Sequence, residues 1–318
     1  MYHRIAELES DVWDLAVSPC HFREQLHVLK QHTNVIPLPQ LVDHLTKNTL
    51  PQNCVCITFD DGYVDNYAAA KPLLEEYGLP ATFFITSGNI GKTQEFWWDE
   101  LEHLLLFSEQ LPAAFSMNIS GTSIQFDLGP EATLSDSLLQ RHRSWRVQNS
   151  EAPSVRAQWY LRIWEALKPL PYSEQACYLA QLKDWANWSS KARENYRSMS
   201  CEELRNLSDH PLFTIGAHTV THPALGYHAP EYQLQEIQEN VQFLRAVTGK
   251  EVSLLAYPYG SHNGHSMHLA YTEGLKAAVT TEEKNVGWGS QPYALGRFQV
   301  QDLPTVEFLP LLQHWMKS

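Results

Sequence analysis

Two short stretches hold side chains that could do chemistry together. Thr58-Phe59-Asp60-Asp61-Gly62-Tyr63 sets two carboxylates side by side directly after an apolar run. Adjacent carboxylates repel, and Gly62 lets the backbone turn sharply beyond them. One carboxylate holding a cation, with the other kept ionised beside it as a base, would account for the pair. A solvated turn with an Asp cap is the commoner use of Asp-Asp-Gly alone. The second stretch, His218-Thr219-Val220-Thr221-His222-Pro223, also follows an apolar run. Histidines four apart fall on one face of a helical turn, where their ring nitrogens can converge on one ion, although Pro223 limits how far that turn continues. Together the stretches supply two neutral nitrogens and a carboxylate, a donor set for a catalytic metal with positions left open for water and substrate.

Both stretches must be positioned by the elements they follow. Short apolar runs bounded by turn residues alternate with helix-patterned segments, which predicts an α/β fold with a parallel sheet, a barrel or an open doubly wound one. Strands are expected at 55–59, 81–86, 213–217, 252–258, around KAAVT and at GRFQV. Helices are expected after Ser18 as N-cap with Pro19 at the first position, through NYAAAKPLLEEY to Gly78, up to Gly249, around HLAYTEGL and over VEFLPLLQHWM. Asp60–Asp61 and His218–His222 then lie at carboxyl ends of strands, the edge where α/β folds collect their sites. Residues 95–200 break the rhythm, being helical in pattern and Trp-rich, with one hairpin expected around Gly121-Thr122. This divides the chain into an α/β domain, 1–94 with 201–318, and a helical insertion over 95–200 acting as a lid or substrate-selecting wall. Core packing is the ordinary role of tryptophans in such a layer, and Trp97 and Trp98, nearest a strand end, are the ones proposed to stack on a sugar ring.

TFDDGY followed in order by HTVTH resembles the NodB-homology polysaccharide deacetylases, carbohydrate esterase family 4. The resemblance implies a distorted (β/α)7 barrel, Asp60 as catalytic base, and Asp61, His218 and His222 as ligands of one divalent metal. Zinc fits that ligand set best, and cobalt, nickel, manganese or iron would be accepted by the same atoms. The family's third motif carries an Arg two residues before a Pro-Tyr pair, where this chain has Ala256 before Tyr257-Pro258-Tyr259. Arg297 is the candidate to supply that guanidinium from a neighbouring strand. The family's C-terminal Leu-x-His acid is not found. The opening Met1-Tyr2-His3-Arg4 is similar instead to the start of the poly-N-acetylglucosamine deacetylases, whose motif order is permuted, and that likeness makes His3 the general acid. His262, His265 and His268, crowded after Tyr259, are the reserve. Tyr259 and Pro258 would line the substrate, with a backbone N–H near Tyr259 facing the oxyanion.

The implied reaction is metal-assisted removal of an acetyl or formyl group from the nitrogen of an amino sugar or glycan precursor. An O-acetyl sugar esterase and a non-catalytic carbohydrate-binding relic of the same fold are the alternatives, the relic because of Ala256. An Fe(II) oxygenase would leave the Asp pair unexplained, and a glycoside hydrolase needs its two carboxylates on opposite sides of a sugar.

The composition argues against a membrane protein, a disordered tail or a disulfide miniprotein. The chain has 318 residues with 23 Lys+Arg against 36 Asp+Glu, a net charge of −13 without a basic run, which argues against nucleic acid as a partner. No apolar stretch approaches the ~20 residues that span a bilayer. The opening residues lack a signal-peptide pattern, from which a cytoplasmic location is expected. The 5 cysteines form no zinc-type pair and imply no disulfide framework.

Overall fold

The computed structural model describes residues 1–148 and 150–317. In chain order its strands are β1 (Arg4–Ile5), β2 (Ala16–Val17), β3 (Asn34–Val35), β4 (Cys54–Val55), β5 (Ile57–Phe59), β6 (Ala81–Ile85), β7 (Ala114–Ile119), β8 (Thr122–Asp127), β9 (Phe213–Ala217), β10 (Leu254–Ala256) and β11 (Ala277–Val279). The chain forms two compact units, one of 1–7, 15–92 and 198–318, the other of 8–14 and 93–197.

In the first unit β11-β10-β9-β6-β5 form a parallel sheet, with β1–β2 and β3–β4 as separate parallel pairs. Its strands read ITF, ATFFI, FTIGA, LLA and AAV and are buried almost throughout. Continuous apolar runs of this kind, not alternating ones, suit a parallel sheet covered on both faces. Phe59 stacks on Phe83 at 4.8 Å, and Tyr2 stacks on Phe59 at 5.4 Å. The helix Pro19–His32 begins at Ser18, whose side chain accepts from the His21 N–H, and the helix Pro230–Thr248 ends at Gly249 in the left-handed region. Over 66–77 the expected helix opens with a wide π turn, Asn66–Ala70, before continuing as Lys71–Tyr77.

Seven full strands are not what the ladders give. Single bridges carry the sheet beyond its edges, Tyr2 to Phe59 on one side and Leu295 to Val279 on the other, and Val300 N–H donates to Met1 C=O at 3.0 Å. The expected strand GRFQV is irregular. Arg297 N–H donates to Glu282 C=O at 2.9 Å, and a Cβ at Gly296 would lie 2.5 Å from Lys284 O. The start of the segment is folded against its own preceding loop, and only Phe298 and Val300 meet Met1, so no regular strand forms.

The second unit holds the helices Trp97–Phe107, Asp136–Ser144, Val155–Leu167 and Tyr172–Trp185 and the β7–β8 hairpin. The hairpin turns at Ser120-Gly121, one residue earlier than expected, with φ of 48° and 88° at these two positions, the left-handed pair of a type I′ turn. Residues 8–14 join this unit through Trp13, whose ring lies 4.4 Å from Trp164 and whose indole N–H donates to Tyr160 Oη at 2.6 Å. Trp97 and Trp98 are 5% and 7% exposed. Trp98 stacks on Phe96 at 4.5 Å, and Trp97 packs 6.3 Å from Trp164. Against the expectation of a sugar platform, both rings serve the aromatic packing of their own unit. Among the described residues all five cysteines are free, and no helix is long and apolar enough to cross a membrane.

Candidate active site

The parallel ladder brings successive strand ends to one edge. Asp60 and Asp61 follow β5, His218 follows β9, and Tyr257-Pro258-Tyr259 follow β10. Register holds them level, because Phe59 pairs with Phe83, Ile85 with Ala217, and Leu255 with Ala217.

Asp61, His218 and His222 converge there, all buried, with their ligand atoms within 4.8 Å of one another. Asp61 Oδ1 lies 3.4 Å from His218 Nε2 and 3.3 Å from His222 Nε2. His218 Nδ1 is 2.8 Å from the Ala256 carbonyl oxygen. That contact puts the imidazole proton on Nδ1 and turns the Nε2 lone pair toward the centre. Burial would raise the Asp61 carboxyl, but the facing imidazoles outweigh it and hold it well below the usual carboxylate range. Asp61 Oδ1 is buried without a hydrogen-bond donor. A buried, ionised oxygen faced by two imidazole nitrogens is a fit for a divalent cation of the zinc type.

The histidine spacing works differently from the expected helical turn. Residues 218–222 form an irregular loop in which Thr219 and His222 adopt φ of 63° and 61°. Asp61 and Tyr259 are also left-handed, at φ 73° and 57°. Asp and His enter this region more readily than most residues, but for Thr219 and Tyr259 it is sparsely populated, and such conformations gather at functional sites. Two side chains that the sequence did not single out, Glu236 and Asn240, bond directly to the loop.

Asp60 is held by Arg297 in a fork, with Nη1 to Oδ1 and Nη2 to Oδ2 both at 2.7 Å. The guanidinium also donates to Thr280 C=O at 2.9 Å and to Thr58 Oγ1 at 3.2 Å. Burial tends to raise the Asp60 carboxyl, and the charge and hydrogen bonds of Arg297, together with the nearby imidazoles of His218 and His3, more than reverse this, leaving it below the usual range. Arg297 thus reaches Asp60 from an irregular segment and not from a strand.

His3 sits between Tyr2, which bridges to Phe59, and Arg4, which pairs with Asp65 at 2.6 Å. Its carbonyl accepts from Asn66 Nδ2 at 2.7 Å, and its Nδ1 is buried without a hydrogen bond. Burial lowers the His3 pKa, opposed by the charges of Asp61 and Asp60. The Tyr259 ring packs edge-on against His222 at 4.5 Å, and Pro258 is buried beside it. Of the three reserve histidines, His262 stacks on Tyr257 at 4.9 Å, whereas His265 and His268 are exposed.

A parallel α/β edge carrying a buried carboxylate–imidazole–imidazole set, with a second carboxylate clamped beside it, is the arrangement of a hydrolytic site able to hold a cation. The polysaccharide deacetylase family model matches residues 47–106 and 185–278, and the chain belongs to that NodB-homology family. The Bacillus subtilis (strain 168) protein YxkH is 41% identical over 61 residues, 19% of this chain and 22% of that protein. A Staphylococcus aureus poly-beta-1,6-N-acetyl-D-glucosamine N-deacetylase is 32% identical over 83 residues, 26% of this chain and 29% of that protein. The matched segments thus span less than a third of these curated relatives. Among solved structures, IcaB from Ammonifex degensii superposes with a TM-score of 0.60 at 17% identity, covering 100% of this chain and 95% of that one. The Streptococcus pyogenes deacetylase PplD in complex with acetate gives 0.55 at 19%, covering 98% and 95%. At these identities the superpositions speak for the fold.

Proposed function

We propose that this chain is a metal-dependent N-deacetylase that removes an acetyl or formyl group from an amino sugar within a glycan or glycan precursor. The observation that carries the reading is the Arg297–Asp60 fork beside the Asp61–His218–His222 set. It supports catalysis over a carbohydrate-binding relic, because the one reason for the relic was Ala256 in the orienting Arg position.

A divalent ion held by Asp61, His218 and His222, with zinc the first choice, would supply Lewis-acid polarisation of the amide carbonyl and of a water. Asp60, ionised at neutral pH, takes the proton of the attacking water. Arg297 fixes both of its oxygens, so the carboxylate cannot rotate away from that proton. The backbone N–H near Tyr259 offers a donor to the oxyanion. His3 in its protonated form passes a proton to the departing amine, without which the tetrahedral adduct returns to the amide. An amide needs that last step and an ester does not, so the acid is what favours N-deacetylation over removal of an O-acetyl group. The products are a free amino sugar and a small carboxylate.

The test is release of acetate or formate from a panel of N-acetyl and N-formyl amino sugars, free, nucleotide-linked, lipid-linked and as β-1,6-linked oligomers. Activity abolished by a chelator and restored by a divalent metal supports the reading. No release from any member by the metal-loaded protein refutes it.

A further inference from the structure

The loop that carries both histidines is strained, and its support comes from outside itself. Thr219 and His222 are both left-handed, and a β-branched residue such as Thr219 enters that region only when the surroundings hold it there. Two residues one turn apart on the helix Pro230–Thr248 reach the loop backbone. Glu236 Oε2 accepts from Val220 N at 2.9 Å and Thr221 N at 2.8 Å, while Oε1 accepts from Thr221 Oγ1 at 2.6 Å. Asn240 Oδ1 accepts from His218 N at 3.1 Å, and Nδ2 donates to Thr219 C=O at 2.5 Å. The same Nδ2 also reaches Ile85 C=O at 3.0 Å and Ser87 Oγ at 2.9 Å, tying the loop to the end of β6. Glu236 is 6% exposed and Asn240 wholly buried.

A carboxylate in the interior is costly unless its oxygens are used. Glu236 uses both of its oxygens on N–H and O–H groups of the loop. The division of labour follows the chain. Asn240 holds the entry, His218 and Thr219. Glu236 holds Val220 and Thr221, the step that delivers His222.

We infer that Glu236 and Asn240 are the positioning residues of the histidine loop, and that they set how tightly the site holds its cation. The inference rests on the reading that Asp61, His218 and His222 bind a divalent ion. Neither residue belongs to the Asp61–His218–His222 set itself. Side chains that orient ligands in this way change metal affinity by about 10–100-fold when removed.

The experiment titrates the metal-stripped full chain with cobalt(II), reading the visible absorption of the bound ion, and measures zinc affinity by competition with a chelator. Glu236→Ala and Asn240→Asp should each bind about 10–100-fold more weakly than the wild type. Their cobalt spectra should be altered, and Glu236→Gln, which keeps an acceptor for the loop, should regain most of the lost affinity. Wild-type affinity and spectrum in both variants would overturn the proposal while leaving the metal site standing. If Glu236→Ala does not fold, Asn240→Asp decides alone, since it keeps the acceptor for His218 N and loses the amide donor shared among Thr219, Ile85 and Ser87. A wild-type chain that binds no cation would remove the underlying reading, and this proposal with it.

Discussion

Arg297 and Asp60, 237 positions apart, face each other through two hydrogen bonds of 2.7 Å. Both side chains are almost wholly buried, at 6% and 3% exposed. Arg297→Met should therefore leave a buried carboxylate uncompensated and destabilise the protein by about 3–5 kcal/mol. The catalytic sign is also fixed. The Asp60 carboxyl is held below its ordinary range, so losing the guanidinium raises it and more of the base is protonated at low pH. The acid limb of kcat/KM should move to higher pH in a variant that still folds. An unmoved limb would mean that Asp60 is not the group titrating there.

His3 as proton donor predicts a dependence on the leaving group. His3→Ala should slow hydrolysis of an N-acetyl amino sugar by about 10²–10⁴-fold. An activated ester such as p-nitrophenyl acetate, whose phenolate leaves unaided, should be hydrolysed at nearly the wild-type rate. Equal losses on amide and ester would remove His3 from that role.

Removing a ligand tests the metal centre directly. His222→Ala should lose stoichiometric zinc and lower kcat by about 10³-fold or more, since the Lewis acid contributes several kcal/mol. Elemental analysis paired with turnover checks this. Full activity in a metal-free His222→Ala protein would contradict the reading.

The second unit carries its own pH signature. Glu102, at 6% exposed, accepts from Ser10 Oγ at 2.6 Å. Burial pushes its carboxyl up to about 7. A raised carboxyl favours the neutral form in the fold. Its contribution is complete below the unfolded value of about 4.3 and is lost as pH rises through the folded one. The size is about 4 kcal/mol. Glu102→Gln, which stays neutral, should be more stable than the wild type at pH 8 and closer to it at pH 5, as urea unfolding followed by Trp fluorescence would show. Parallel behaviour at the two pH values would count against a buried neutral Glu102.

What could be read in advance was local, and what could not was tertiary. Asp60, Asp61, His218 and His222 stand directly after apolar runs, and a strand end is visible without knowing its neighbours. Arg297 could be named only because Ala256 left a role unfilled. Glu236 and Asn240 are polar residues on a helix, and nothing in their spacing separates the inward face from the wet one. The four-residue gap between His218 and His222 suits a helical turn as well as a left-handed loop, and the loop won because bonds from another element hold it. GRFQV has the composition of a strand, but a strand also needs a ladder, and its first N–H groups turn to the preceding loop, leaving only its end against Met1. Residues 8–14 carry too short a pattern to reveal that Trp13 belongs with Tyr160 and Trp164.

Asp61, Thr219, His222 and Tyr259 occupy backbone conformations that glycine would adopt at less expense. Screens for heat resistance alone would therefore reward replacements at these very positions, as they would any change that lets the edge relax. A hardened variant obtained that way should be sluggish or inert, because the conformations of these four residues are part of the geometry that aims the reactive groups.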